Sequence, residues 1–143
     1  MKCEIIIDAE CEERVVVYAK KDNSLINQIK QLARQWGTEL IGYKDKEIVR
    51  LNASDIYCVA IIDNKIYAIC EDERLQLKER LYVTEEKLPQ FFIKINQSCI
   101  VNANIIERFD TSVSGTLKVS LKNGYTDYVS RRQLKTIKER IGI

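Results

Sequence analysis

Phe91-Phe92-Ile93-Lys94-Ile95-Asn96-Gln97-Ser98-Cys99-Ile100-Val101-Asn102 alternates apolar and polar residues as a half-buried strand does. It then gathers a cation, two amides and a hydroxyl where that strand should end. These side chains hold phosphates and, for the amides, pair with base edges. About thirty residues later, Val129-Ser130-Arg131-Arg132-Gln133-Leu134-Lys135 reads as a helix start. Ser130 and Gln133 stand at capping-box spacing. Leu134, Ile137 and Ile141 make a buried stripe, while Arg131, Lys135 and Lys138 fall on another face. Two adjacent arginines in a first helical turn oppose the macrodipole, which favours anions there, so a functional reason for them is natural.

Outward from these two blocks the chain is rich in short strands. The pattern predicts strands at Leu40–Tyr43, Glu47–Leu51, Ile56–Asp63, Lys65–Glu71, Arg74–Lys78, Phe91–Ile95, Ile100–Val101, Ile105–Asp110, Thr116–Leu121 and Tyr125–Val129. Asp63-Asn64-Lys65, Glu71-Asp72-Glu73 and Asn123-Gly124 are the turn signals between them. A short helix is expected over Leu81–Leu88, ended by Pro89. Ahead of this body, Lys2–Asp8 and Arg14–Ala19 read as two strands. Asp22-Asn23-Ser24 caps a helix whose stripe runs from Leu25 to Trp36, with Gly37 as its stop. The expected fold is mainly β: an elongated β domain at 40–143, a β-β-α extension at 1–39 and a C-terminal helix.

Composition narrows the chemistry. The 143 residues contain no histidine, which removes the usual general base and the commonest metal ligand. Paired catalytic carboxylates, phosphate-binding glycine loops and metal-ligand spacings are also missing from the sequence. The expectation is therefore not an enzyme, with no cofactor and no metal. Cys3, Cys11, Cys58, Cys70 and Cys99 form no CxxC and read as buried, reduced thiols. No apolar run approaches the roughly 20 residues of a membrane-spanning helix, and the N-terminus lacks a signal peptide, so the expected location is cytoplasmic. Charge is uneven. Residues 1–89 hold 14 Lys+Arg against 17 Asp+Glu, net −3, and residues 90–143 hold 9 against 4, net +5. A basic end on a neutral body suits a polyanion.

The blocks Phe91–Asn102 and Val129–Lys135, with Ser114-Gly115-Thr116 and Lys122-Asn123-Gly124-Tyr125 between them, resemble the signature of the LytTR family of bacterial DNA-binding domains. The resemblance covers roughly residues 40–143. It implies an elongated, mostly β domain whose loops enter neighbouring major grooves of bent DNA. Carried over by position, the DNA-contacting residues are Asn64 and Lys65 in the first turn, Lys94, Asn96, Gln97 and Ser98 at the strand end, and Arg131, Arg132 and Lys135 on the last helix. Many members carry His or Arg where this chain has Asn96-Gln97, which bears on the target sequence and not on the mode of binding. The short N-terminal unit is similar to that of small stand-alone members, which lack a receiver domain and are often encoded beside a small membrane protein.

The reading that follows is a sequence-specific transcriptional regulator. It would bind paired repeats of double-stranded DNA as a homodimer, with the N-terminal unit as a dimer contact and a small membrane protein as a further partner. The alternative is a protein-interaction module whose basic face is incidental.

Overall fold

The computed structural model describes residues 2–11, 14–35 and 40–142. Helix α1 (Ser24–Gln35) comes first and is capped by Asn23, whose side-chain oxygen accepts from the Ile26 N–H at 3.1 Å. Ten strands and two more helices follow among the described residues: β1 (Leu40–Lys44), β2 (Glu47–Leu51), β3 (Cys58–Ile62), β4 (Lys65–Ile69), β5 (Arg74–Leu77), α2 (Leu81–Lys87), β6 (Phe92–Asn96), β7 (Cys99–Asn102), β8 (Ile106–Asp110), β9 (Lys118–Leu121), β10 (Thr126–Tyr128) and α3 (Arg131–Ile141). All ladders are antiparallel. Seven strands form one sheet in the order β2-β1-β5-β4-β3-β7-β6, and β10-β9-β8 form a second.

The period of two gives the large sheet two apolar faces. Cys58, Ala60, Ile93, Ile95, Cys99 and Val101 point toward the small sheet and α3, and pack on Leu117, Val119, Leu121 and Ile137. Val59, Ala68, Leu77, Phe92 and Ile100 point the other way, onto Leu81 and Leu88 at the two ends of α2. The sheet is thus sandwiched between α2 on one side and β8–β10 with α3 on the other. Packing at β1 is close. A Cβ on Gly42 would lie 2.6 Å from the Leu75 Cβ, so a side chain has no room there.

Three asparagines lock this arrangement by one device. Each side-chain oxygen caps its own turn while the side-chain amide donates to a carbonyl far along the chain. Asn102 accepts from Asn104 N–H at 2.9 Å and donates to Ile56 O at 3.1 Å. Asn123 accepts from Tyr125 N–H at 3.0 Å and donates to Cys70 O at 3.1 Å, which pins the small sheet to β4. Asn96 accepts from Ser98 N–H at 2.8 Å and donates to Tyr128 O at 2.8 Å, which pins β6 to β10. An amide carries both a donor and an acceptor, and aspartate lacks the donor.

Two expectations change. Lys2–Asp8 and Arg14–Ala19 form no ladder, so α1 is the one regular element among the described residues before Leu40. Their β-forming side chains stand open, and a strand is stable only beside a partner. Cys3 and Cys11 are accordingly exposed and Cys70 is half-buried, leaving Cys58 and Cys99 as the buried thiols. Trp36 and the stop at Gly37 lie outside the described residues. No helix among the described residues is long and apolar enough to cross a membrane.

Candidate nucleic-acid interface

Topology collects the candidate residues at one end of the large sheet. Strand β3 climbs to a two-residue turn, Asp63-Asn64, in which both φ angles are positive, 50° and 63°. That is the backbone of the tight hairpin whose twist suits antiparallel strands, and Asp and Asn tolerate it best after glycine. Because β3 lies antiparallel to β7, this turn is next to the start of β7, where Ile61 N–H donates to Ser98 O at 2.8 Å. Gln97 and Ser98, both exposed, form the second turn, between β6 and β7.

The third element is the start of α3. Ser130 N–H donates to Ile95 O at 2.9 Å, immediately before the second turn. Its hydroxyl caps the helix by accepting from Gln133 N–H at 3.3 Å. Arg131 and Arg132 follow in the first turn and are exposed, as is Lys135 one turn later. At its other end α3 is held by the buried Ile137, by the Arg140 guanidinium on Gln90 O, and by Gly142 in the left-handed conformation. Asn64 with Lys65, Gln97 with Ser98, and Arg131 with Arg132 therefore stand on one edge, presented by backbone that is itself hydrogen-bonded.

Two candidates sit differently. Strict alternation would place Asn96 on the same side as Lys94, facing α2. A bulge between them shifts the ladder so that Asn96 reaches β10 instead. Its amide is then engaged in holding the turn, with both hydrogen-bonding ends occupied. Lys94 stays behind on the α2 side, where its ammonium lies 3.8 Å from the Glu85 carboxylate.

One further segment reaches the same edge. Residues 111–116 connect β8 to β9 and are exposed, and Val129 N–H donates to Leu117 O at 2.9 Å beside the α3 start. Ser112 N–H donates to Asp110 Oδ1 at 2.8 Å and, with Lys118 nearby, holds the Asp110 carboxyl below the usual carboxylate range. The Ser/Thr/Gly composition of this loop is the signal in the sequence that marks it. Exposed Tyr128 adds an aromatic ring there. Among the described residues no three His, Cys, Asp or Glu side chains are grouped so as to hold a metal ion.

These features match known proteins. The LytTr DNA-binding domain model matches residues 46–142. HTH-type transcriptional regulators of Staphylococcus aureus strains NCTC 8325 and COL are each 39% identical over 148 residues, with 100% of this chain and 99% of the relative covered. The relative from strain MRSA252 is likewise 39% identical over the same span. Among solved structures, a Bacillus cereus chain described as the LytTr DNA-binding domain of a methyl-accepting/DNA response regulator superposes with a TM-score of 0.69. It is 24% identical, and the match covers 73% of this chain and 97% of that one. In this chain each described helix is neighboured in sequence by strands, so the described residues contain no helix-turn-helix pair. With a family model covering most of the chain and relatives alike along its full length, this protein belongs to the LytTr DNA-binding domain family.

Proposed function

We propose that this protein is a DNA-binding transcriptional regulator that reads base sequence through the loop end of its β body. The observation that supports this best is the convergence of the Asp63-Asn64 turn, the Gln97-Ser98 turn and the Arg131-Arg132 helix start on one edge. A two-residue turn or a helix end fits a major groove about 12 Å wide. Gln97 presents an amide to adenine N6 and N7, and Arg132 a guanidinium to guanine O6 and N7. Asn64, Lys65, Ser98, Arg131 and Lys135 contact phosphates around them. We assign Asn96 to positioning, since its amide holds the turn, and Lys94 to flanking backbone contact after release from Glu85.

In this reading residues 40–143 are the DNA-binding unit and residues 1–39 an accessory one. Two copies occupy paired repeats as a homodimer in the cytoplasm, and a small membrane protein is a candidate controlling partner. The second reading, a protein-interaction module with an incidental basic face, draws on the bare apolar residues near the N-terminus. Selection of bound sequences from a random duplex pool tests both. Enrichment of a pair of repeats is the expected result, and a pool that stays random after several rounds overturns the regulator reading.

A further inference from the structure

The largest run of uncovered apolar side chains lies near the N-terminus. Ile5, Ile6 and Ile7 are 80%, 79% and 94% exposed, and Val15, Val16, Val17 and Tyr18 are also open. Helix α1, the next element along the chain, leaves Leu25 and Leu32 exposed, with Ile26 and Ile29 half-covered. A chain that folds alone seldom leaves so many large apolar side chains open. The segment is also patterned. Cys3, Ile5 and Ile7 make one wholly apolar side, as do Val15, Val17 and Ala19, while Lys2, Glu4 and Asp8 put every charge of the first segment on the other side.

We propose that residues 2–8 pair antiparallel with the same residues of a second copy of this chain, in the register that sets Ile5 opposite Ile5. The charges select that register. With Ile5 at the centre, Lys2 of each copy faces Asp8 of the other twice over, and Cys3 faces Ile7. Directly opposed residues share a side, so the two apolar sides join into one surface. Centring on Ile6 opposes Glu4 to Asp8, and centring on Glu4 opposes it to itself. Registers shifted by one residue join an apolar side to a charged one. The contact is isologous, as a two-fold dimer requires. This gives the two-copy reading above its contact and rests on that reading for its role.

Sedimentation equilibrium of the full chain without DNA tests it. Wild type should be dimeric at micromolar concentration. Lys2→Glu and Asp8→Lys should each weaken association about tenfold by opposing like charges at two positions. An equimolar mixture of these two variants should associate as wild type does, because each copy then offers the charge the other lacks. A folding defect is not rescued by mixing, so this arm separates pairing from damage. A monomeric wild type overturns the proposal, and so does a dimer indifferent to both reversals, whose contact would lie elsewhere, the open edge at β2 first. The measurement excludes DNA. A monomer that still selects repeats would sink this inference alone, and a dimer that selects nothing would sink only the DNA-binding reading.

Discussion

Asn96 donates its side-chain amide to the backbone carbonyl of Tyr128 at 2.8 Å, across 32 residues of sequence. With Ser130 N–H on Ile95 O at 2.9 Å, this joins the two sequence blocks that carry the family signature into one rigid corner. The turn that follows Asn96 and the helix that follows Ser130 then hold a fixed relation to each other. Surfaces built this way bear their ordering cost during folding, before any ligand arrives.

Asn96→Ala should lower stability by about 1–2 kcal/mol, since it removes a turn cap and a long-range hydrogen bond together. The midpoint of a thermal melt should fall by several degrees. Asn96→Asp should fall similarly, because the carboxylate keeps the acceptor and loses the donor. An unshifted melt for both variants would return Asn96 to the set of free, base-facing amides.

Gln97→Ala and Arg132→Ala should leave the melt unchanged, both side chains being exposed. Each should cost about 1–3 kcal/mol on the selected site and relax preference at one base position. Lys138→Ala, further along α3, should weaken specific and random duplexes about equally. Normal affinity and preference in a folded Arg132→Ala variant would show that α3 is a plain basic surface.

Affinity should fall steeply with salt. With about 4–6 phosphate contacts, log affinity against log salt should have a slope of roughly −4 to −5. A flat titration between low and physiological salt would remove the electrostatic basis of binding.

Gly42→Ala should destabilise the body by about 1–3 kcal/mol, because the new methyl meets the Leu75 Cβ, which cannot swing away without its backbone. Chemical denaturation of the purified variant measures this directly.

The thiols should divide by position. Cys11 is open, whereas Cys58 and Cys99 are buried and burial pushes the Cys70 thiol up to about 11. The thiolate is the reacting form, so Cys70 stays protonated and slow at neutral pH and quickens as pH rises toward 11. Peptide mapping after brief alkylation at pH 7.5 should find Cys11 modified and Cys58, Cys70 and Cys99 spared.

The β body was legible where neighbouring residues decide the outcome. Asp63-Asn64 and Asn123-Gly124 announce their turns, and alternation from Glu47 to Val129 marks the strands to within a few residues. Legibility failed where a distant partner decides. Lys2–Asp8 has the composition of a strand, yet no ladder forms because pairing depends on a second segment. Asn96 has the chemistry of a base-reading amide, and only the position of Tyr128 shows the amide to be taken. Lys94 and Asn96 share a side by simple counting, and the bulge between them breaks that count. No local signal in Phe91–Asn102 announces the bulge.

The three locking asparagines also bear on how such a protein can change its target. The atoms that hold the corner belong to Ile95, Asn96, Tyr128 and Ser130, while Gln97, Arg131 and Arg132 extend past it. Substitution at the projecting positions leaves the corner's bonds untouched, so under the proposed function operator preference can drift among descendants at little cost to folding. A lineage could acquire new promoters by varying a few surface side chains while the asparagines stay as they are.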